Sequence, residues 1–198
     1  MIKVLLADDH PLVRKGIRSI LHRSPDIRVI GEAGDGHQAL RLVEELKPDV
    51  LVLDMEMPLL KGIDVARKLK ADGPHLPILA LSAHEDKHFI LGMLNNGASG
   101  YLVKDEVPET IVRAVKGVAS GEAGWVSRRI AARIAVWLNS EQSDGKGLDL
   151  SDEDIRILRL FIAGKSSWEI SAALGKEVEE VNAKIQQIVL LVRESLEK

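Results

Sequence analysis

The fold is decided by the first residues of the chain, MIKVLLADDH (residues 1–10). The apolar run Ile2 to Ala7 has the length of a β-strand, and the acidic pair Asp8 and Asp9 follows it directly. Similar apolar runs recur at nearly regular intervals: Ile27 to Ala33, Val50 to Leu53, Ile78 to Leu81 and Tyr101 to Val103. The stretches between the runs have helical spacing, and an alternation of strands and helices predicts a parallel sheet.

The strands are apolar almost throughout and do not alternate with polar residues. Strands of this kind are covered by helices on both faces, as in a doubly wound α/β fold. The sequence therefore predicts a five-stranded doubly wound parallel sheet over residues 1–118.

The pattern changes after this domain. Residues 119–147 are expected to form a linker that contains an amphipathic helix after Gly124 and ends in a polar, glycine-containing stretch. The apolar face of that helix is expected to contain Val126, Ile130, Ile134 and Trp137. The helical spacing of apolar residues over 148–198 predicts a small all-α domain. Four short helices are expected, at about 151–163, 167–174, 178–186 and from there to the C-terminus. Two pairs of residues are typical of N-terminal helix caps: Ser151 with Asp154, and Ser166 with Glu169.

Composition excludes several classes of function. The chain has no cysteine, so a disulfide framework, thiolate catalysis and Cys-ligated zinc are excluded. Aromatic residues make up only 3% of the chain, which leaves few platforms for base stacking. The apolar runs are too short for a signal peptide or a membrane span, so we expect a cytoplasmic protein without membrane contact.

Polar residues stand at the carboxyl ends of the predicted strands, where ligands bind in open α/β sheets. They are Asp8, Asp9, Asp54, Ser82 and Lys104. Carboxylates that converge at one edge repel each other unless a cation neutralises them, and oxygen ligands suit Mg²⁺. The sequence therefore predicts a magnesium site at this edge.

A carboxylate beside Mg²⁺ can attack a phosphoryl group, while an ammonium and a hydroxyl stabilise the transferred oxygens. We therefore expect Asp54 to be the nucleophile, with Lys104 and Ser82 as ligands of the phosphoryl group. Each residue alone also fits a plain structural role, such as a cap or a turn. Their occurrence together at the strand ends favours the chemical interpretation.

These motifs resemble the receiver domain of bacterial two-component response regulators over the whole of residues 1–118. The matching motifs, in order, are Ala7-Asp8-Asp9-His10, Asp54-Met55-Glu56-Met57-Pro58, Leu81-Ser82-Ala83 and Gly100-Tyr101-Leu102-Val103-Lys104-Asp105. The resemblance implies a flavodoxin-like sheet that works as a phosphoacceptor switch. A separate turnover enzyme is disfavoured, because no further substrate motif is present.

The resemblance also implies residue roles. A sensor histidine kinase would donate a phosphoryl group to Asp54, and Mg²⁺ would be held by Asp9, Asp54 and the main-chain carbonyl of Glu56, with Asp8 in support. Ser82 would then move toward the phosphoryl group and Tyr101 would rotate inward. The surface from about residue 84 to 101 would change with them.

Residues 148–198 resemble the helix-turn-helix output domain of NarL/LuxR-type regulators. The matching residues are Leu150-Ser151, Ile157-Leu158-Arg159-Leu160, Ala163-Gly164-Lys165-Ser166, Glu169-Ile170-Ser171, Leu174-Gly175, Val181 and Ile188. The resemblance implies a transcription regulator that binds DNA and forms a homodimer when phosphorylated. The candidate DNA contacts are Lys165, Lys176, Asn182, Lys184, Gln186 and Gln187.

The charge of this domain favours a second interpretation. Residues 148–198 carry 7 Lys and Arg against 10 Asp and Glu, and Glu177, Glu179 and Glu180 stand at the start of the expected recognition helix. Carboxylates there would oppose the phosphate contacts on which DNA affinity depends. The domain is thus either a DNA-binding module or a degenerate helix-turn-helix that serves protein interaction or dimerisation. The apolar last helix, with Leu190 and Leu191, fits either packing on its own core or a partner surface.

Overall fold

The computed structural model describes residues 1–71, 76–86, 90, 92, 96–121, 125–127, 129–130, 151–162, 165 and 167–196. The chain divides into two compact units, residues 1–121 and 122–198. None of the described helices is both long and apolar enough to cross a membrane.

The first unit alternates strands and helices, as the spacing of the apolar runs predicts. Its strands are β1 (Ile2–Ala7), β2 (Ile27–Ala33), β3 (Val50–Asp54), β4 (Ile78–Ser82) and β5 (Gly100–Val103). Its helices are α1 (Pro11–Leu21), α2 (Gly36–Leu46), α3 (Gly62–Ala71) and α4 (Val107–Ala119), and a 3₁₀ turn (Lys104–Glu106) precedes α4.

The strands of the first unit form a sheet in the order β2-β1-β3-β4-β5, and the two-residue strand β6 (Trp125–Val126) belongs to the second unit. All pairings among β1 to β5 are parallel, which confirms the doubly wound α/β fold. The order 2-1-3-4-5 is that of flavodoxin-like sheets.

The five strands expected over residues 1–118 are confirmed, and the short strand β6 lies beyond that range. The amphipathic helix is expected to include Val126, but Val126 lies in β6. A strand of two residues is too short to show a periodicity in the sequence. Ile130 is helical and buried, as expected for the apolar face of that helix. Ile134 and Trp137 lie outside the described residues.

The central strands are buried on both faces. Every residue of β3 and β4 is buried, and so are the last four residues of β1. The helices that cover them begin at recognisable signals: Pro11 stands in the first turn of α1, and the Asp35 side chain accepts a hydrogen bond from Gln38 N (2.9 Å) at the start of α2.

Helix α3 begins against the backbone of the residue that ends β3. A Cβ added at Gly62 would lie 2.0 Å from the main-chain oxygen of Asp54 and 3.0 Å from Cα of Met55. Gly62 N also donates to the Met55 carbonyl (3.0 Å). Only glycine permits this approach, so Gly62 fixes the position of the loop that follows Asp54.

The second unit contains helices α5 (Asp152–Ile162), α6 (Ser167–Leu174) and α7 (Val178–Leu196). A turn with Gly175 in the left-handed region (φ 67°) joins α6 to α7. Among the side chains that the structure describes in these helices, the buried apolar ones are Ile157, Ile170, Val181, Ile185 and Ile188. The expectation of two helices after residue 178 is wrong, because α7 is continuous and buries Ile185 and Ile188 on one face.

The N-terminus of α5 has the reciprocal cap expected from its sequence. Asp154 N donates to Ser151 Oγ (3.2 Å), and Ser151 N donates to Asp154 Oδ2 (3.1 Å). Lys184 of α7 lies 3.2 Å from Asp154 Oδ1. Burial alone would raise the pKa of Asp154, but the hydrogen bonds with Ser151 and Lys184 outweigh burial and lower it. The second expected cap includes Ser166, which lies outside the described residues.

We expect Gly62→Ala to destabilise the protein by roughly 1–3 kcal/mol, because the added methyl group meets backbone atoms that cannot move aside. Thermal or urea unfolding measures this loss. Gly16→Ala in α1 is the matched control, since nothing lies within 4 Å of its Cβ. Equal stability of the Gly62 and Gly16 variants would contradict the close approach.

We expect Asp154→Asn to destabilise the second unit by about 1 kcal/mol at neutral pH, because the cap loses its charge and Lys184 loses its partner. The folded pKa of Asp154 lies below its ordinary value. The stability that its carboxylate contributes is therefore present above that ordinary value and is lost as the pH falls through the folded pKa. Unfolding of the full chain at neutral and acidic pH should show a difference between wild type and variant that disappears in acid.

Candidate functional site

The parallel register brings the predicted polar residues to one edge of the sheet. Asp54 is the last residue of β3 and pairs with Leu81, while Ser82 is the last residue of β4 and pairs with Val103. Asp8 directly follows β1, and Lys104 directly follows β5. The four side chains thus start from neighbouring strand ends.

Lys104 joins the two buried carboxylates. Its Nζ lies 2.8 Å from Asp8 Oδ2 and 2.7 Å from Asp54 Oδ2. The Asp8 side chain is fully buried and that of Asp54 is 2% exposed. Burial raises the pKa of Asp54, and Lys104 opposes that rise. Burial alone would lower the pKa of Lys104, but the two carboxylates outweigh it and raise the pKa, so the ammonium stays charged.

A second group of donors lies on the loop after β1. His10 Nδ1 lies 2.6 Å from Asp9 Oδ1, and His10 N donates to Asp8 Oδ1 (2.8 Å). One ligand atom from each of Asp8, Asp9, His10 and Asp54 lies within 4.8 Å of the others. The structure thus places the His10 ring beside the carboxylates.

The residues at this edge fit a divalent cation. Three carboxylates and one ammonium leave two negative charges in a partly buried group of oxygen donors. Carboxylate oxygens are the ligands that Mg²⁺ prefers. Glu56, whose main-chain carbonyl is the expected fourth donor, lies beside the site, because its N donates to Asp54 Oδ1 (3.3 Å).

The two expected switch residues both bond to the backbone of His84. His84 N donates to Ser82 Oγ (3.0 Å), and the Tyr101 hydroxyl donates to the His84 carbonyl (2.9 Å). Ser82 and Tyr101 are both fully buried. Burial raises the pKa of Tyr101 to about 12, so its hydroxyl keeps the proton it donates.

The backbone of His84 thus links Ser82 and Tyr101. This role of His84 is not predicted from the sequence. Its side chain also reaches across the site, where Nε2 lies 3.3 Å from Glu56 Oε1. Main-chain bonds at one residue leave no compositional signal, and the only available hint was its position two residues after Ser82.

The described lysines among the candidate DNA contacts are each paired with a carboxylate. Lys165 lies 2.7 Å from Glu169, and Lys184 pairs with Asp154. Lys176 pairs with Glu153 (2.7 Å) and with Glu180. These pairs raise the pKa of Lys176 to about 12 through hydrogen bonds with both carboxylates.

The other candidate contacts differ in exposure. Asn182 is half-buried and Gln187 is exposed, while the side chain of Gln186 lies outside the described part of the chain. Glu177, Glu179 and Glu180 are all exposed. The start of α7 therefore presents carboxylates to solvent, as the sequence indicates.

Comparisons with known proteins agree with this arrangement. The model of the response regulator receiver domain family matches residues 4–116. The uncharacterized transcriptional regulatory protein YxjL of Bacillus subtilis (strain 168) is 40% identical over 191 residues, covering 95% of this chain and 88% of the relative.

Two solved structures are also similar. The signal receiver domain of the putative response regulator NarL from Mycobacterium tuberculosis is 38% identical, with a TM-score of 0.59, and the match covers 61% of this chain and 97% of that one. A two-component response regulator of the LuxR family from Aurantimonas sp. SI85-9A1 is 34% identical, with a TM-score of 0.65 and coverages of 69% and 96%. The chain therefore belongs to the NarL/LuxR-type response regulators of two-component systems.

Proposed function

We propose that this chain is a phosphorylation-controlled switch in which Asp54 accepts a phosphoryl group from a sensor histidine kinase. The observation that carries the proposal is the buried Asp54 carboxylate, held 2.7 Å from the Lys104 ammonium beside Asp8. The pairing through Oδ2 fixes the orientation of the carboxylate, and Oδ1, which accepts a longer hydrogen bond from Glu56 N (3.3 Å), is the oxygen for attack.

The reaction transfers one group and needs no further reactant. An Asp54 oxygen forms a bond to phosphorus as the bond between phosphorus and the donor's imidazole nitrogen breaks. Lys104 stabilises the charge on the transferred oxygens, and the Ser82 hydroxyl donates to them. The chain catalyses only its own phosphorylation and dephosphorylation.

A magnesium ion would be held by Asp8, Asp9, Asp54 and the main-chain carbonyl of Glu56. When bound, it neutralises charge on the phosphoryl oxygens. The chain's own residues orient the donors: His10 holds Asp9, and Lys104 holds Asp8 and Asp54.

Ser82 and Tyr101 would carry the signal away from Asp54. The Ser82 hydroxyl accepts from His84 N, so its own proton can turn toward a phosphoryl group on Asp54. Any shift of Ser82 acts on the His84 backbone, which is also the acceptor of the Tyr101 hydroxyl. Phosphorylation adds roughly −1.5 to −2 charge at this point, enough to bias a bistable element.

The output would be transcription control by DNA binding, with a homodimer as the phosphorylated form. The helix-turn-helix frame of α6 and α7 supports this function, and a dimer doubles the phosphate contacts of one copy.

A second candidate function is supported by the ion pairs of the same unit. Lys165, Lys176 and Lys184 each lie against a carboxylate, while Glu177 and Glu179 are exposed. Surface ion pairs contribute little free energy, so the lysines could exchange partners, but the carboxylates would still face the phosphates. The unit would then bind a protein partner in place of DNA.

We expect Asp54→Asn to abolish phosphate incorporation from acetyl phosphate, because an amide lacks the attacking carboxylate oxygen. Phosphate-affinity electrophoresis or radiolabelling measures it. Asp35→Asn is the matched control, since asparagine caps helices as well as aspartate and Asp35 lies outside the site. Persistent labelling of the Asp54 variant would show that the nucleophile is another residue.

We expect the double variant Glu177→Gln/Glu179→Gln to bind genomic DNA fragments several-fold more tightly at low salt, because each removed repulsion is on the order of 1 kcal/mol at contact distance in water. The gain should shrink as salt is added. Mobility shifts with and without acetyl phosphate measure both effects. Glu44→Gln/Glu45→Gln, an equal charge change on exposed residues of α2, is the control.

Failure of wild type and variant alike to shift any fragment, phosphorylated or not, would favour the protein-interaction function over DNA binding. An unchanged affinity of a variant that does bind would show that α7 does not face the phosphates.

A further inference from the structure

A partly buried arginine contacts the backbone of the acidic loop. Arg14 lies in the first turn of α1, where its N donates to the His10 carbonyl (3.1 Å). Its guanidinium Nη1 donates to the main-chain carbonyl of Asp8. The Arg14 side chain is 17% exposed, so the contact is shielded from solvent.

The other side of the guanidinium faces strand β2. Arg14 Nε lies 3.5 Å from Glu32 Oε2, and the same carboxylate binds Arg18 Nη1 at 2.9 Å. The Glu32 carboxylate therefore restrains the Arg14 guanidinium at Nε, while Nη1 contacts the Asp8 carbonyl. Arg18 shares this partner, is 53% exposed, and has no contact with Asp8 among the hydrogen bonds and ion pairs of the described residues.

The carbonyl that Arg14 binds belongs to the peptide between Asp8 and Asp9. On one side of that peptide the Asp8 carboxylate points inward to Lys104. On the other side the Asp9 carboxylate is 29% exposed and lies against the His10 ring. A rotation of the peptide plane would move Asp9 away from the other oxygen donors, and a hydrogen bond from a charged donor resists such a rotation.

We propose that Arg14 is a positioning residue for the divalent cation: it fixes the peptide between Asp8 and Asp9 so that the Asp9 carboxylate faces the oxygens of Asp8 and Asp54. The inference rests on the proposed metal-dependent function. Groups that orient metal ligands without touching the metal affect affinity strongly. Arg14 acts through the backbone, so its loss moves a ligand without removing one.

Calorimetric titration of the full chain with Mg²⁺ tests this assignment. We expect Arg14→Gln to weaken Mg²⁺ affinity by about tenfold or more, the range typical for residues that orient metal ligands. Arg18→Gln, which removes the same charge and the same Glu32 partner, should leave the affinity unchanged. In the metal-free protein, the Asp9 amide resonance should shift in the Arg14 variant and stay in place in the Arg18 variant.

Phosphorylation by acetyl phosphate adds a second readout. A positioning role predicts that Arg14→Gln raises the Mg²⁺ concentration needed for half-maximal rate, while the rate at saturating Mg²⁺ stays close to that of wild type. If Arg14→Gln gives no cooperative unfolding transition, Arg14→Lys compared with Arg18→Lys carries the same test, because lysine keeps the charge but not the fork geometry.

Equal Mg²⁺ affinities of the Arg14 and Arg18 variants, with wild type binding normally, would overturn the role of Arg14. Absence of Mg²⁺ binding by wild type itself would instead overturn the proposed metal-dependent function. The two failures are therefore distinguishable.

Discussion

The ammonium group of Lys104 lies between the carboxylates of Asp8 and Asp54, and the chemistry of the sheet edge depends on this contact. Burial raises the pKa of Asp54, and the charge of Asp8 raises it further. A protonated Asp54 could neither attack phosphorus nor bind a cation. Lys104 opposes this rise through its hydrogen bond and its charge. It offsets one negative charge of the group, and the carboxylate oxygens suit a divalent cation.

The site is built almost entirely from strand ends, and this explains its rigidity. Asp54 and Ser82 are the final residues of buried strands, so the sheet fixes their backbones. Gly62 also packs against the Asp54 carbonyl, and His84 N donates to the Ser82 hydroxyl. The adjustable parts are the side chains and the loop after β1. Arg14 and His10 both stabilise that loop: Arg14 binds the Asp8 carbonyl, and His10 contacts the Asp9 carboxylate.

Much of the first unit could be predicted from local patterns, because buried parallel strands give unbroken apolar runs and their ends stand out as polar residues. Asp8, Asp54, Ser82 and Lys104 were found in this way. The strand Trp125–Val126 was not, since two residues carry no period. The contacts of Arg14 with Asp8 and of Tyr101 with His84 are made to main-chain carbonyls, and no residue type signals them.

In the second unit the sequence indicated the acidic start of the last helix but not the pairing of its lysines. Lys176 reaches Glu153 and Lys184 reaches Asp154 only because α5 packs on α7. Charge counts predict the sign of a surface, whereas the partners of each charge depend on tertiary packing. The net charge of residues 148–198 can therefore be read from the sequence, whereas the ion-pair partners of the candidate DNA-contact lysines cannot.

The continuity of α7 has a mechanical meaning. Its 19 residues span about 28 Å at the rise of an α-helix, with Glu179 and Glu180 in the first turn and the C-terminal apolar residues in the last turns. An uninterrupted helix without proline or glycine has no hinge. A movement imposed at one end of this helix is therefore transmitted through the rigid helix to its acidic end.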